Sequence, residues 1–336
     1  MSDILNQSYN PLLEINTSFE SYLNARTRSY TEHVVGGRMD YAFDGDFAMR
    51  SKINTISGWS KLYKTITTAD MPNRFKRLFQ STDLATSMLH ANAYNAAQIC
   101  SERMQLNIPT VMVKKAKDIP EIYSLTGAGI EPSIIITADI EDICTKQELC
   151  FLIGRELGRM QNKHSAFNYA FTYPGITLGN TVSDKFAEYT GNDRNAMPGN
   201  YRQLSYALNS WLAAADLTAD RAGIICLDDP AEFADIFVSL RKKGIPDSFG
   251  NVECNLDVHE IKEKFEVLHT TPVRSLSLAP EVSQDERRLY AGLEFTGCEV
   301  LYHWRPELAK SGQHLTNKQA LEIRCEILAG ADRQSV

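Results

Sequence analysis

The sequence lacks any uninterrupted apolar stretch of about 18 residues, the length that a membrane-spanning helix needs. Its first residues also lack the basic segment followed by an apolar segment that marks a secretory signal. Lysine and arginine are outnumbered by aspartate and glutamate, 35 to 42, so there is no basic excess for nucleic acid or an anionic membrane. These absences predict a soluble, cytoplasmic protein whose partner is neither a nucleic acid nor a membrane.

Paired cysteine motifs are absent as well. The seven cysteines are dispersed and contain no C-x-x-C pair. An odd, dispersed set indicates neither a disulfide framework nor a cysteine zinc site, and we expect most of these residues to be buried. With 336 residues, 43% of them apolar and 23% charged, the chain has the composition of a globular protein with a sizeable core.

Hydrophobic spacing and turn residues predict a chain made mostly of helices around one small sheet. Residues 1–75 show no clear pattern, and residues 171–200 are rich in Gly, Asn, Thr and Pro, which predicts a long loop. The fold class predicted is therefore α+β and predominantly helical. The helices are expected over 81–106, 145–164, 203–226, 229–243, 256–268, 283–304 and 316–329, and the strands over 109–115, 121–127 and 132–139.

Two segments contain candidate functional residues. A capping box at Thr145 predicts the start of a helix, which then reads R-E-L-G-R from Arg155 to Arg159. Arginines one helical turn apart most often mark a solvated face, so this pentapeptide alone carries little weight. The second segment, over 211–223, reads WLAAADLTADRAG and includes Asp216.

With histidine in place of each arginine, the first segment resembles the G-H-E-L-G-H helix of the gluzincin metallopeptidases typified by HtpX and the CaaX prenyl proteases. The second resembles the W-x-x-x-x-E-x-x-A-D-R-A-G signature of that family, with Asp216 in place of the glutamate that is the third zinc ligand. The order of the predicted elements also agrees. The sequence HTTPVRSL over 269–276 fits the family's His-Pro turn loosely, through His269 and Arg274.

The resemblance covers roughly residues 80–305 and implies a zincin-like fold with a small sheet and two signature helices. It also implies three parts. These are an N-terminal extension over 1–75, a metallopeptidase-like domain over 76–305, and a C-terminal helix and tail over 306–336.

The resemblance assigns a role to each position of the site. Arg155, Arg159 and Asp216 stand where the family has its zinc ligands, and Glu156 stands where it has the general base. A guanidinium group stays protonated and only donates hydrogen bonds, so neither arginine can bind zinc. We therefore expect no metal and no other cofactor, and an inactive Glu156. Supporting positions are His164, Asp220, Arg221, His269 and Arg274, of which Asp220 and Arg221 are expected in a cap or an ion pair.

The exchanged residues keep the formal charge of the site, since Arg155 and Arg159 face Asp216 and Glu156. We predict that the arginines fill the metal cavity and that a bidentate pair with Asp216 bridges the two signature helices. The alternative is that both arginines point to solvent from an ordinary surface helix.

Three functions are compatible with these residues. The first is a pseudopeptidase that binds a protein or peptide in a cytosolic complex, because the resemblance places a substrate cleft beside an edge strand that can accept an added strand. The second is an active zinc endopeptidase with a non-standard ligand set drawn from His164, His269, Asp216, Asp220 and Glu156. The third is the binding of a small molecule in the vacated zinc pocket.

Overall fold

The chain folds mainly as helices around one small mixed sheet. The computed structural model describes residues 31–172 and 199–330. The strands are β1 (Val34–Val35), β2 (Arg38–Met39), β3 (Asp83–Leu84), β4 (Thr110–Lys114), β5 (Ile122–Gly127) and β6 (Ile130–Thr137). The helices are α1 (Asp44–Thr55), α2 (Trp59–Thr65), α3 (Met71–Ser81), α4 (Ala91–Arg103), α5 (Ala138–Ile143), α6 (Lys146–Gln161), α7 (Ser165–Phe171), α8 (Gly199–Ile225), α9 (Phe233–Lys242), α10 (Val258–Thr270), α11 (Gln284–Thr296), α12 (Glu299–Trp304) and α13 (Lys318–Ala329). No helix within the two described ranges is long and apolar enough to cross a membrane.

The larger sheet has the strand order β3-β4-β6-β5. Strands β4 and β6 run parallel, with Val111 opposite Ile134, whereas β3 and β5 run antiparallel to their neighbours. Side chains alternate between the two faces of a strand. Val111 and Ile134 therefore enter the core cluster that contains α4 and α6, while Met112 and Ile135 enter a second cluster with α2 and α7.

Three glycines allow α6 and α8 to pack with their backbones close together. A Cβ atom at Gly158 would lie 2.3 Å from the Cβ of Ala222, and one at Gly154 would lie 2.7 Å from Cys226. On α8, a Cβ atom at Gly223 would lie 2.6 Å from the ring of a phenylalanine on α6. Gly154 and Gly158 are one helical turn apart and so share the face of α6 that meets α8.

Several predicted boundaries are confirmed. The Thr145 hydroxyl accepts a hydrogen bond from the backbone of Glu148, whose carboxylate accepts one from the backbone of Thr145, and this capping box starts α6. Ser283 and Glu286 form a second capping box at the start of α11, where the sequence predicts that a helix begins. The three predicted strands agree with β4, β5 and β6 to within two residues.

The helix predicted over 81–106 is wrong before Ala91. Asp83 instead lies opposite Val113, in the short strand that extends the sheet. His90 has a φ of 56°, a left-handed conformation that helix interiors exclude. Pairing with the edge of β4 therefore prevails over the local helical spacing, as tertiary contacts do over propensity.

The continuous helix predicted over 283–304 is also wrong, because it is interrupted after α11. The backbone of Thr316 bonds to Gly297 and Glu299 on either side of the interruption, at 2.9 Å each. Thr316 is thus engaged with the chain at the start of α12, and Asn317 caps α13.

The loop predicted over 171–200 lies almost entirely outside the described residues. Tyr41 and Phe43, which precede α1, and Leu321 and Cys325, on α13, are buried in the same core cluster as α6 and α8. The domain boundaries drawn from the sequence stay predictions.

We predict that Gly158→Ala destabilises the protein by about 1–3 kcal/mol, because the added methyl overpacks the contact with Ala222. Helix propensity alone would favour alanine by up to about 1 kcal/mol. Urea unfolding measures the difference. The double variant Gly158→Ala/Ala222→Gly should recover part of the loss, and a stabilised single variant would contradict the close approach.

Candidate functional site

The facing surfaces of α6 and α8 bring together the charged residues predicted from the sequence. Arg155 and Arg159 are one turn apart on α6, and Asp216 and Asp220 are one turn apart on α8. All four are buried, and Asp216 has no exposed surface. The arginines therefore point into the helix interface and not into solvent.

Asp216 is the centre of this cluster. Its Oδ1 atom accepts hydrogen bonds from Nη2 of Arg155 at 3.0 Å and from Nη2 of Arg159 at 2.7 Å. The Ser248 hydroxyl donates to the same oxygen at 2.6 Å and accepts from Arg159 at 2.9 Å. Burial acts to raise the pKa of Asp216, but attraction by Arg288, Arg159 and Arg155 holds this pKa below its usual value. Asp216 is therefore a buried, ionised carboxylate.

The bidentate pair in the cluster differs from the one predicted. Arg288, on α11, donates to both carboxylate oxygens of Asp220 at 2.8 Å. Arg155 contacts Asp220 through Nε at 2.8 Å and Asp216 through Nη2, so it bridges two carboxylates. The prediction of a bidentate arginine on Asp216 is wrong in this detail, because three donors share one oxygen of that residue.

Glu156 lies beside the arginines and is buried. Its Oε1 atom is 3.4 Å from Nε of Arg159, and its Oε2 atom has no hydrogen-bond partner among the described residues. Carboxylates that lack full hydrogen bonding are uncommon in protein interiors. Glu156 is thus the least satisfied carboxylate of the cluster.

Positive and negative charges balance across the whole network. Further ion pairs join Arg288 and Arg241 to Asp285. The network then contains four guanidinium groups and four carboxylates, and its formal charge is zero. Its members are Arg155, Arg159, Arg241 and Arg288 with Glu156, Asp216, Asp220 and Asp285.

These residues do not fit zinc at the position that the resemblance implies. Tetrahedral zinc needs lone pairs from imidazole, thiolate or carboxylate groups. Arg155 and Arg159 offer only N–H donors, and those donors are directed at Asp216, whose Oδ1 atom already accepts three hydrogen bonds.

Arg221 connects α8 to both ends of the described chain. Its Nη1 atom donates to the Tyr41 carbonyl at 3.0 Å and to the Glu322 carboxylate at 2.6 Å. Asp220 and Arg221, the two charged residues of the A-D-R-A-G segment, both form buried ion pairs. Asp220 pairs with Arg288, and Arg221 pairs with Glu322.

His164 belongs to a second buried cluster, centred on Asp46. The Asp46 carboxylate contacts Nε2 of His164 at 2.9 Å and accepts from Trp211 at 2.8 Å and Thr218 at 2.9 Å. Burial acts to raise the pKa of Asp46, but the charge and hydrogen bond of His164, together with Arg50, lower it to about 2. Sequence reasoning missed Asp46, since residues 1–75 show no interpretable pattern.

The two residues of the predicted turn lie apart from this network. The His269 side chain lies against α11, where its Nδ1 atom is 3.1 Å from the Glu294 carboxylate. The Arg274 side chain is exposed. The alternative zinc ligands His164, His269, Asp216, Asp220 and Glu156 are all described. No three of them offer ligand atoms within 4.8 Å of one another.

One cavity formed by the described residues lies elsewhere. It has a volume of about 650 Å³ and is lined by residues of α8, α11 and α13 with Phe43 and Phe249. Arg155, Arg159 and Asp216 do not line this cavity. The position at which the resemblance predicts a vacated zinc pocket is occupied by the side chains of Arg155 and Arg159.

The chain is a distant homologue of a metallopeptidase. It is 26% identical over 155 residues to the plastoglobule-localized metallopeptidase 48, chloroplastic, of Arabidopsis thaliana. The matched stretch covers 46% of this chain and 40% of that protein, so the similarity spans less than half of the relative. No family profile matches the chain, and no solved structure matches it.

We predict that Arg155→Ala lowers the free energy of unfolding by about 3–5 kcal/mol, because it removes a cation from two buried carboxylates. Urea unfolding measures this loss. Arg274→Ala is the matched control, since its side chain is exposed, and should change stability by less than about 0.5 kcal/mol. Equal effects of the two substitutions would refute the bridging role of Arg155.

Proposed function

We propose that this chain has a zincin-like fold that has lost peptide hydrolysis and binds an extended segment of a partner protein. The distant homology to a metallopeptidase supports the fold. The proposed loss of hydrolysis rests on one observation. Arg155 and Arg159, which stand where the related peptidases have their zinc-binding histidines, both donate hydrogen bonds to Asp216. Without a ligand set for zinc, Glu156 has no metal-activated water to deprotonate.

An active peptidase with another ligand set has less support. His164 is engaged by Asp46, and His269 is engaged by Glu294. Both histidines would have to leave these partners and move towards Asp216, whose Oδ1 atom already accepts three hydrogen bonds.

The strand edge at β5 is the candidate peptide-binding surface. β5 is the last strand of the sheet formed by the described residues, and it packs against α6 and α7. The opposite edge strand, β3, has only two residues. An extended segment can add to a sheet edge through main-chain hydrogen bonds, and six residues suffice for several of them.

The register of the sheet identifies the groups that face this edge. The backbone N–H of Thr137 donates to the Glu121 carbonyl at 3.0 Å, so these two residues form a hydrogen-bonded pair. Hydrogen-bonded and non-hydrogen-bonded pairs alternate in antiparallel strands. Ile122, opposite Ile136, therefore directs its N–H and carbonyl away from β6 and towards the free edge.

The loss of hydrolysis predicts that the purified chain does not cleave fluorescein-labelled casein, with or without added Zn²⁺. Glu156→Gln is the control, because it removes the group at the general-base position. We expect equal, background rates for the two proteins. Cleavage by the natural sequence that disappears in Glu156→Gln would show an active peptidase.

Strand addition predicts that Ile122→Pro weakens binding of an extended peptide by about five- to tenfold, since proline removes an edge donor worth roughly 1–1.5 kcal/mol. Proline is tolerated in edge strands where its nitrogen faces outward. The probe is a peptide selected from a random library against the purified chain, and fluorescence anisotropy measures its affinity. Ile122→Val keeps the N–H and should bind normally. Unchanged affinity in Ile122→Pro would exclude this edge.

A further inference from the structure

A short hairpin before α1 brings a histidine and an aspartate together. The two glycines between β1 and β2 have φ values of 61° and 79°, as a tight two-residue turn requires. The turn fixes the register in which Val34 lies opposite Met39, and the Asp40 N–H donates to the His33 carbonyl at 2.8 Å. His33 and Asp40 are thus directly opposed, and their side chains lie on the same face of the hairpin.

The end of α12 adds a second histidine to this pair. The Oδ2 atom of Asp40 is 2.9 Å from Nδ1 of His33 and 3.4 Å from Nδ1 of His303. The Trp304 indole donates to the other oxygen, Oδ1, at 2.6 Å, and its ring stacks on His33 with centroids 3.8 Å apart. Trp304 therefore orients the carboxylate and leaves Oδ2 to face both imidazoles.

The spacing of these atoms matches that of a metal site. Zinc bonds of about 2.0–2.2 Å in tetrahedral geometry place neighbouring ligand atoms roughly 3.3 Å apart. Among the described residues, His33, Asp40 and His303 are the group whose ligand atoms all lie within 4.8 Å of one another. His33 and Asp40 are buried, whereas the His303 side chain is 55% exposed and leaves one side open to solvent.

We propose that His33, Asp40 and His303 bind a divalent transition-metal ion of the zinc class. Two imidazole nitrogens and one carboxylate oxygen are ligands that Zn²⁺ takes, and the open side provides a fourth position for water. The hydrogen bond from Trp304 is the outer contact that ligating carboxylates usually have. This site is independent of the arginine network, and it joins the hairpin to α12.

The competing interpretation is that Asp40 accepts hydrogen bonds from two histidines and that no metal takes part. Titration of the EDTA-treated full chain with Zn²⁺, in competition with a chromophoric chelator, separates the two. We expect one ion per chain, and binding at least about tenfold weaker in His303→Ala. Because His303 is exposed, this variant should melt like the natural sequence in the absence of metal.

His259→Ala is the matched control. The His259 Nδ1 atom lies 3.4 Å from the Glu263 carboxylate, the same separation as that between His303 and Asp40, but its side chain is 78% exposed and belongs to no group of three ligand residues in the part of the chain that the structure describes. Zinc affinity should be unchanged in this variant. Zn²⁺ should also raise the Tm of the natural sequence and of His259→Ala, since the ion binds the folded state, but not that of His303→Ala.

Nitrogen-15 spectra of the histidine rings give a readout that does not depend on any substitution. Zn²⁺ should shift the Nδ1 resonances of His33 and His303 and leave that of His259 in place. The proposal is overturned if the natural sequence binds no Zn²⁺, if His303→Ala binds it with the same affinity, or if these resonances do not move.

Discussion

The ionised state of Asp216, buried between two helices, is the constraint on which the rest of the site depends. A carboxylate without exposed surface is costly unless cations and hydrogen bonds surround it. Arg155 and Arg159 provide both from α6, and Arg288 adds a third positive charge at 3.9 Å. Since Asp216 itself is on α8, the same contacts that neutralise it also join the two helices.

The glycines and the arginines of α6 act together at this interface. Gly154 and Gly158 immediately precede Arg155 and Arg159, and they bring the helix backbones so close that no Cβ atom fits. A guanidinium group can then reach Asp216 at 2.7–3.0 Å while its side chain stays buried. Asp46 forms a comparable bridge nearby, because it bonds to His164 beyond the end of α6 and to two residues of α8. The close packing of α6 against α8 and the pairing of charges between them therefore depend on each other.

The sequence predicts those parts of the structure that depend on local signals. Capping boxes place the starts of α6 and α11, and i, i+4 spacing places Arg155 and Arg159 on one face. Partners that are distant in the chain carry no such signal. Ser248 and Arg288 reach the site from a loop and from α11, and Asp46 reaches the neighbouring His164 cluster from a segment without clear periodicity. Only the fold shows that the bidentate pair joins Arg288 to Asp220, and not an arginine of α6 to Asp216. The helical pattern before Ala91 fails for the same reason, since pairing with β4 is non-local.

The network also explains why one substitution would not create a zinc site here. Histidine at 155 would remove a cation from Asp216 and Asp220, yet Arg159 and Ser248 would still donate to Oδ1 of Asp216. If residue 159 were also histidine, Arg288 would be the main cation near the buried carboxylates of Asp216 and Asp220 until a metal ion is bound. Each intermediate contains uncompensated buried charge, which costs several kcal/mol. The arginine-filled interface is thus separated from a metal-binding one by states of lower stability, because each of them leaves buried charge uncompensated.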